Sequence, residues 1–385
     1  MERLRTRPVL VGIAIAAVLL GAGAYLVFGG RGSGTAAVAS ATPTLTVMPS
    51  ASLAPSPSAL PSPTLAPSPS PTPVAARCPL SGLPMADASL AKRTPLIVQI
   101  ENHPAARPAR NLNSADIVFE ATVEGDTTRF SAVFLCQPTI GLTGPVRSAR
   151  YYNIDLWQDL HLLTVGFGAS NPALDRFAAA GMPYVNGLSG GWPWYQRVSG
   201  RAAPHNLYVD VERVRSSFGK LASLDALAGR VGTLRPPFTF EEGIAPSGGH
   251  AVRSLTIKTN GYWRFGWTWD AGSSSWRRQD AGTAIEDAAS GEPVSATSVI
   301  VQRVTEEVVY GDPDPGGNPR RLQHLVGKGD GTLYLDGQAV AIKWSRASKG
   351  DGTVWTYAGS GERVVLPPGR IWWEIVPVQA SVTEG

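Results

Sequence analysis

The stretch ADIVFEATVEGDTTRFSAVFLC, residues 115–136, contains two predicted β-strands and the turn between them. Residues 115–124 and 128–136 are rich in Val, Phe, Ala and Thr and alternate loosely between apolar and polar positions, which is typical of strands that pack on a core. The residues EGDT between them favour a hairpin. We therefore predict an antiparallel strand pair at the centre of the first folded region.

Further strands and helices surround this hairpin. The apolar runs at 95–100 and 162–168 predict buried strands. A helix is expected after residue 150 with Ser148 as its N-cap, a second between Asn171 as cap and Gly181 as stop, and a third over 210–224. Because strands and helices are interleaved, residues 78–240 are predicted to form a mixed α/β domain.

Residues 249–380 have a different pattern and are predicted to form a β-rich second domain, so the fold class is α+β. Short apolar stretches there are separated by Gly and Asp turns, and Asp336-Gly337 is a strong hairpin signal. This region also holds most of the 11 tryptophans. They are expected to pack in the core, and a polymer-stacking face is the alternative.

The N-terminal residues predict a membrane anchor followed by a spacer. Three arginines precede an uncharged apolar run from Pro8 to Phe28, which is long enough to cross a bilayer with its basic end in the cytoplasm. A cleaved signal peptide is the alternative. Residues 1–30 are thus assigned to tail and transmembrane helix, and 31–77, rich in Pro, Ser and Thr, to a disordered linker.

The chain has two cysteines, Cys78 and Cys136. An exported location permits a disulfide between them, and two unpaired thiols are the alternative. No cysteine directly follows the apolar run, so the chain lacks a lipid-attachment site. The first folded residues and a predicted strand end are expected to be bridged.

Several classes of function lack their sequence signals. The net charge is only +4 and no Lys/Arg run occurs in the folded region, so nucleic-acid binding is not expected. The 5 histidines are scattered without metal-ligand spacing. Neither a phosphate loop nor a dinucleotide fingerprint is present, and we expect no metal and no cofactor.

Glu120 and Glu124 raise the question of a paired acid and base. Four residues apart on one strand, they would be separated by roughly 13 Å, whereas glycosidase pairs need about 5–9.5 Å. We therefore predict that each carboxylate holds an arginine, with Glu120 facing Arg129 across the hairpin.

The segment GPVRSAR, residues 144–150, is the main candidate for anion binding. Arg147 and Arg150 flank a predicted helix start, where free N–H groups and the guanidinium fork both favour anions. The alternative is that both arginines are neutralised by carboxylates of the protein itself, such as Glu120 or Glu124.

Polar loops at 100–112 and 200–208 add further candidates, and we expect all of them to converge on one cleft. The candidate ligand-binding side chains are Asn102, Arg107, Glu120, Glu124, Arg129, Arg147, Ser148, Arg150, Arg201, His205 and Asn206.

Several of these motifs resemble those of the YerB-like family of bacterial envelope proteins. The similar segments are CPLSGLP (78–84), the run 100–130, GPVRSAR, RAAPHNLY (201–208), SVIVQRV (298–304) and PPGRIWWEIVP (367–377). The resemblance implies a membrane-tethered extracytoplasmic protein with an α/β first domain and a β-rich second. Typical members look like lipoproteins, whereas this chain carries an apolar N-terminal run. The resemblance implies no particular reaction.

Three hypotheses about function follow. The first is a membrane-anchored, extracytoplasmic protein of the cell envelope that binds an anionic ligand, a cell-wall glycan or a prenyl phosphate, in an arginine-rich cleft of the first domain. The second is an envelope enzyme that acts on a phosphorylated lipid-linked glycan, by loose resemblance to the LytR-CpsA-Psr phosphotransferases. The third is a scaffold or regulator that docks another envelope protein through its β-rich domain.

Overall fold

One long β-sheet organises the fold, and it draws strands from both halves of the sequence. The computed structural model describes residues 76–246, 248–259 and 263–385. The predicted membrane span lies outside these residues, as does the linker up to residue 75. Among the residues described, no helix is both long and apolar enough to cross a membrane.

The strands of the first half are β1 (Leu96–Glu101), β2 (Ile117–Thr122), β3 (Thr128–Phe134), β4 (Leu163–Gly166), β5 (Tyr184–Asn186), β6 (Tyr195–Arg197) and β7 (Leu207–Val209). Its helices are α1 (Tyr152–Leu160), α2 (Asn171–Ala180), α3 (Val211–Arg215) and α4 (Ala222–Ala228). Short 3₁₀ turns occupy Ala88–Lys92, Pro104–Ala106 and Glu124–Asp126.

Among its described residues, the second half contributes only strands. These are β8 (Thr239–Phe240), β9 (His250–Ala251), β10 (Ser254–Lys258), β11 (Arg264–Asp270), β12 (Ser275–Asp280), β13 (Thr283–Ala284), β14 (Ser295–Ala296), β15 (Ser298–Val304), β16 (Glu306–Pro313), β17 (Pro319–Gln323), β18 (Gly327–Leu335), β19 (Gln338–Arg346), β20 (Val354–Tyr357), β21 (Val365–Leu366), β22 (Ile371–Pro377) and β23 (Ser381–Glu384). The described part of the chain is therefore α+β, and the helices found in it lie in the first half.

The two halves meet inside the large sheet. Its order is β20-β19-β18-β15-β22-β2-β3-β1-β4-β5, with β9 paired to β19. The junction is the parallel pair β2–β22, in which Ile117 lies opposite Ile371 and Ala121 opposite Ile375. Strands β10 to β14 and β23 form a second sheet. Apolar residues from both halves fill the core on each side of the large sheet.

The hairpin predicted at 115–136 is confirmed. β2 and β3 pair antiparallel from Ile117–Val133 to Thr122–Thr128 around the turn at 124–126. The strands predicted at 95–100 and 162–168 are present as β1 and β4. Asp336 and Gly337 form the two-residue turn between β18 and β19, with φ of 49° and 68°. A β-hairpin with both central residues at positive φ is the type that Asp-Gly favours.

The helix predictions need three corrections. The cap of α2 is Ser170, whose hydroxyl accepts from the N–H of Ala173, so Asn171 is already inside the helix. The segment 210–224 is not one helix, because the chain leaves α3 after Arg215 and Gly219 takes a φ of +74°. Ser148 does not cap α1, which begins at Tyr152.

Most tryptophans of the second half lie in the core, as expected. Six are buried, namely Trp267, Trp276, Trp344, Trp355, Trp372 and Trp373. Trp263 and Trp269 are half-buried and pack on the same core. Core packing on both faces of the large sheet therefore accounts for most of the tryptophans of this half.

Cys78 and Cys136 form a disulfide with a Cα–Cα separation of 5.9 Å, which confirms the predicted bridge. Beside it, the buried Asp116 carboxylate accepts hydrogen bonds from the N–H groups of Leu135 and Cys136, at 2.8 and 2.9 Å. The bridge ties the first folded residues to the end of β3.

Candidate functional site

A cavity of about 480 Å³ opens where β1 ends and the β2–β3 turn begins. Its walls also include residues 147–150 and the turn between β16 and β17, so both halves of the chain build it. Four arginines line it, Arg129, Arg147, Arg150 and Arg320. Three carboxylates line it as well, Glu101, Glu124 and Asp314. We call this cavity the arginine cleft.

Glu124 neutralises one side of the cleft. Arg150 Nε lies 2.7 and 2.8 Å from the two oxygens of this buried carboxylate. Arg320, from β17, forms an ion pair with the same carboxylate and lies 3.4 Å from Asp312. Arg150 is held further by donating to the carbonyl of Ala149, at 3.0 Å. These two arginines are thus already paired within the protein.

Arg129 is in a different position. It is only 5% exposed, and its one hydrogen bond runs from Nη1 to the Ser148 carbonyl at 2.7 Å. Its Nε finds no acceptor, and among the residues that the structure describes no carboxylate lies within ion-pair distance of it. Burial, reinforced by the charge of Arg150, lowers its pKa well below the usual range. A buried cation without a counter-charge is costly unless a ligand supplies one.

Arg147 lies on the rim, where it shares one carboxylate with a histidine. Its Nε is 3.1 Å from Glu101 Oε1, and His205 Nδ1 is 3.1 Å from Glu101 Oε2. The His103 ring stacks on the His205 ring with centroids 4.9 Å apart. The Arg147 side chain is 31% exposed, while that of Glu101 is 4% exposed. The rim therefore presents a partly free guanidinium next to two imidazoles.

The floor of the cleft connects to a buried network below it. Thr128 lines the cleft, and its hydroxyl donates to Glu120 Oε1 at 2.6 Å. Asn102 Nδ2 donates to Thr128 Oγ1 at 2.7 Å. Glu120 in turn accepts from Arg278 of β12, with Nη2 at 2.6 Å and Nε at 3.0 Å. The residue that holds Glu120 thus comes from the second half.

The predicted pair of Glu120 with Arg129 is wrong. In the β2–β3 register, Glu120 lies opposite Phe130 and Arg129 opposite Ala121. Because neighbouring residues of a strand point to opposite faces, the two side chains are on different sides of the sheet. The broader prediction that Glu120 and Glu124 each hold an arginine is confirmed, with Arg278 and Arg150 as the partners.

A second carboxylate lies beside Glu120 at the junction of the two halves. Glu374 of β22 is its register partner, and both side chains are fully buried. Trp267 Nε1 donates to Glu374 Oε1 at 2.9 Å. Burial, with the charge of Glu120, raises the pKa of Glu374 well above its usual range. One arginine, Arg278, therefore faces two carboxylates.

Five of the residues proposed from sequence line the cleft, namely Glu124, Arg129, Arg147, Ser148 and Arg150. Ser148 Oγ donates to the Phe167 carbonyl at 3.0 Å, and the Arg150 N–H is capped by the Asn153 side chain at 2.6 Å. The N-cap of α1 is Tyr151, which makes no side-chain capping hydrogen bond, so the role predicted for Ser148 is not filled by it.

Asn102, Glu120 and His205 support the floor and rim, whereas three other candidates lie elsewhere. Arg107 donates to Asn102 and forms an ion pair with Asp280 of β12. Arg201 donates to the carbonyls of Ala106 and Pro108, at 2.6 and 2.9 Å, and so fastens that loop. Asn206 closes the β6–β7 hairpin through the Val198 carbonyl at 3.1 Å.

Sequence reasoning missed the contribution of the second half. Arg320, Asp312 and Asp314 come from GDPDPGGNPRR, residues 311–321, which forms the β16–β17 turn. The sequence signal that could have identified these residues is a Pro- and Gly-rich turn that is preceded by acidic residues and followed by arginines. Glu101, the last residue of β1, was also missed.

The described residues contain one group of possible metal ligands, Cys78, Asp116 and Cys136. Both sulfurs are joined in the disulfide and cannot act as thiolate ligands. The arginine cleft, by contrast, holds guanidinium donors suited to a carboxylate or phosphate.

Comparison with known proteins finds the same two-part organisation. Residues 80–223 match a domain described as "Protein of unknown function (DUF3048) N-terminal domain", and residues 253–373 match the corresponding C-terminal domain. The protein "Putative lipoprotein YerB" of Bacillus subtilis is 28% identical over 312 residues, which is 80% of this chain and 89% of that protein. The crystal structure of Bacillus subtilis YerB is similar with a TM-score of 0.65 and 26% identity, and covers 80% of this chain and 99% of the other. The chain therefore belongs to the YerB-like family defined by the paired DUF3048 domains.

Proposed function

We propose that this chain is an envelope protein whose folded region binds an anionic group in the arginine cleft. The observation that carries the proposal is Arg129, which is 95% buried yet has no carboxylate partner among the described residues. A folded protein rarely keeps a desolvated charge unpaired, because the desolvation penalty is then uncompensated. An anion bound at the cleft would supply the missing charge and accept from Nε.

The neighbouring arginines favour an anion at this position. Arg150 and Arg320 are paired with Glu124 and Asp312. Arg147 shares Glu101 with His205, and its side chain is 31% exposed. Arginine forks bind carboxylate and phosphate oxygens in pairs. A cell-wall glycan that carries such groups and a prenyl phosphate are both suitable ligands.

The proposed location is the extracytoplasmic side of the cell membrane. A relative named as a lipoprotein supports an envelope location. This chain instead offers the apolar run 8–28 as a single-pass anchor, followed by a Pro-rich spacer. The disulfide between Cys78 and Cys136 agrees with an oxidising compartment.

Arg129→Gln tests the proposal. We expect this change to weaken binding of inorganic phosphate by about tenfold to a hundredfold, since a hydrogen bond to a charged group contributes about 1.5–3 kcal/mol. Titration calorimetry on the full chain in discs of zwitterionic lipid, with empty discs as blank, measures the affinity. Muropeptide fragments and geranyl phosphate serve as further probes.

Stability separates this role from a structural one. Removal of an unpaired buried charge is expected to leave the free energy of unfolding unchanged or to raise it, whereas removal of a structural arginine lowers it. Arg363→Gln, an exposed arginine outside the cleft, is the matched control and should not change affinity. The proposal is wrong if none of the anions binds the unaltered chain, or if Arg129→Gln binds them equally well.

An enzyme that acts on a phosphorylated lipid-linked glycan is the second candidate. The observation in its favour is the group Glu101, His103 and His205 beside Arg147 on the rim, because imidazole and carboxylate side chains are the usual proton carriers. Release of prenyl phosphate from a lipid-linked glycan, lost on His205→Gln while phosphate affinity is retained, would favour this candidate over binding alone.

A further inference from the structure

Two histidines from distant parts of the sequence stack at the rim of the arginine cleft. His103 follows β1 and lines the cleft, whereas His205 lies in the loop between β6 and β7. Their ring centroids are 4.9 Å apart and the ring planes differ by 16°. Because two imidazolium rings in such contact repel each other, the pair is suited to hold a single proton.

The hydrogen bonds of the two rings decide which of them takes the proton. His103 Nδ1 accepts from the N–H of Ala105 at 3.2 Å, and protonation of that nitrogen would break this bond. Burial and the neighbouring His205 also lower the pKa of His103. His205 Nδ1 lies 3.1 Å from Glu101 Oε2, a carboxylate oxygen that can only accept. In neutral His205, Nε2 therefore has no hydrogen and can gain one.

Glu101 links this proton to the cleft. Its side chain is 4% exposed, and its other oxygen, Oε1, lies 3.1 Å from Arg147 Nε. While His205 is neutral, Glu101 balances the charge of Arg147. Once His205 is protonated, the same carboxylate faces two cations and can compensate only one of them. The rim then carries an additional positive charge beside Arg147, which lines the cleft.

No other carboxylate among the described residues lies within ion-pair distance of either ring. The remaining charged groups near the rings are arginines, namely Arg107, Arg147, Arg197 and Arg201. The rest of the cleft lining contributes the charged residues Glu124, Arg129, Arg150, Asp314 and Arg320. A proton on the histidine pair therefore adds to a basic environment, and an anion in the cleft compensates for it.

We infer that anion binding in the arginine cleft is coupled to the uptake of a proton by His205. This inference rests on the proposed function, because it takes the anion site as given. Coupling between two binding events is reciprocal, so protonation of His205 strengthens anion binding and a bound anion favours the protonated ring. Histidine ordinarily changes its charge between about pH 5 and 8. Affinity for anions should therefore rise as the pH falls through this range.

The test measures sulfate affinity by titration calorimetry on the full chain in discs of zwitterionic lipid. Sulfate remains a dianion between about pH 5.5 and 8.5, so a change of affinity across this range reports on the protein and not on the ligand. We expect binding to be at least about fivefold tighter at the acid end, which is a coupling of ordinary size. Calorimetry in two buffers of different ionisation enthalpy measures the proton uptake directly, and a net uptake is expected near neutral pH.

Two variants assign the proton. His205→Gln should show no proton uptake and should bind sulfate no more tightly at acid than at alkaline pH. His103→Gln should keep the uptake, because His205 and Glu101 remain. The matched control is His250→Gln, which removes a histidine outside the cleft that also pairs with a carboxylate, Glu384, at 2.6 Å. This control should keep both the uptake and the pH dependence.

The outcomes separate the coupling from the anion site. The coupling is wrong, and the anion site stands, if sulfate binds the unaltered chain equally well across the pH range. The same holds if His205→Gln keeps the uptake, or if His103→Gln or His250→Gln loses it. If sulfate binds at no pH, the coupling is wrong; the anion site is wrong as well only if inorganic phosphate, muropeptide fragments and geranyl phosphate also fail to bind. Far-UV circular dichroism of each variant confirms that it is folded.

Discussion

Replacing Arg278 with methionine is expected to lower the free energy of unfolding by about 3–5 kcal/mol. Arg278 is fully buried and donates to Glu120 through Nη2 and Nε. Its guanidinium also lies 4.6 Å from the centre of the Phe265 ring. Methionine keeps an unbranched side chain but leaves the Glu120 carboxylate buried without its counter-charge. Urea unfolding followed by tryptophan fluorescence measures the loss.

Two variants show whether the charge is the cause. Arg277→Met changes the next residue, whose side chain is 43% exposed and pairs with Asp270 at the surface, and should cost less than about 1 kcal/mol. Adding Glu120→Gln to Arg278→Met should restore part of the stability, because residue 120 then no longer carries an unpaired buried charge. If Arg278→Met costs no more than Arg277→Met, the buried network does not stabilise the junction.

Glu374→Gln is expected to affect the free energy of unfolding in a different way from Arg278→Met. Burial and the charge of Glu120 raise the pKa of Glu374 well above its usual range, which favours the protonated form of its carboxyl group. A raised pKa in the folded state means that its stabilising contribution is full below the unfolded pKa and is lost as the pH rises through the folded one. A neutral amide has no proton to lose, so Glu374→Gln should reduce the loss of stability that accompanies rising pH, as measured by urea unfolding at a series of pH values.

Loss of the disulfide is the other large effect that we expect. Cys78 and Cys136 are 58 residues apart, and closing a loop of this length stabilises the fold by about 4 kcal/mol in the chain-entropy model. The double variant Cys78→Ala/Cys136→Ala should show this loss in urea unfolding. Reduction of the unaltered chain should give a similar value.

The matched control is Ser81→Ala, which removes one hydrogen bond to the neighbouring Asp116, 3.1 Å long, and leaves the bridge intact. It should cost about 0.5–1.5 kcal/mol or slightly more. Equal losses in Ser81→Ala and in the double cysteine variant would mean that local packing, and not the closed loop, accounts for the effect.

The elements that sequence analysis predicted well are those encoded by neighbouring residues. The hairpin at 115–136 follows from two β-rich runs and a short turn, and Asp336-Gly337 predicts its turn through local backbone preference. The prediction of one helix over 210–224 was wrong because it took no account of Gly219, which adopts a left-handed conformation. The disulfide could be predicted from the number of cysteines and from the predicted extracytoplasmic location.

Only some of the residues of the site could be predicted from the sequence. GPVRSAR pointed to Arg147 and Arg150, but whether they are free depended on which carboxylates the fold brings to them. Arg150 meets Glu124, 26 residues away in the chain, while Glu120 meets Arg278, 158 residues away. Such pairs depend on the strand register and on the β2–β22 junction, which no local pattern specifies.

By itself, the sequence determined the local elements, the family resemblance and the arginine-rich character of one corner. Only the tertiary structure decided that Arg150 is neutralised and that Arg320 joins it from the second half. It also decided that Arg129 is buried with no carboxylate partner among the described residues. The physical reason is that side-chain pairing between strands distant in sequence is set by sheet order and register, whereas strands and turns are set by adjacent residues.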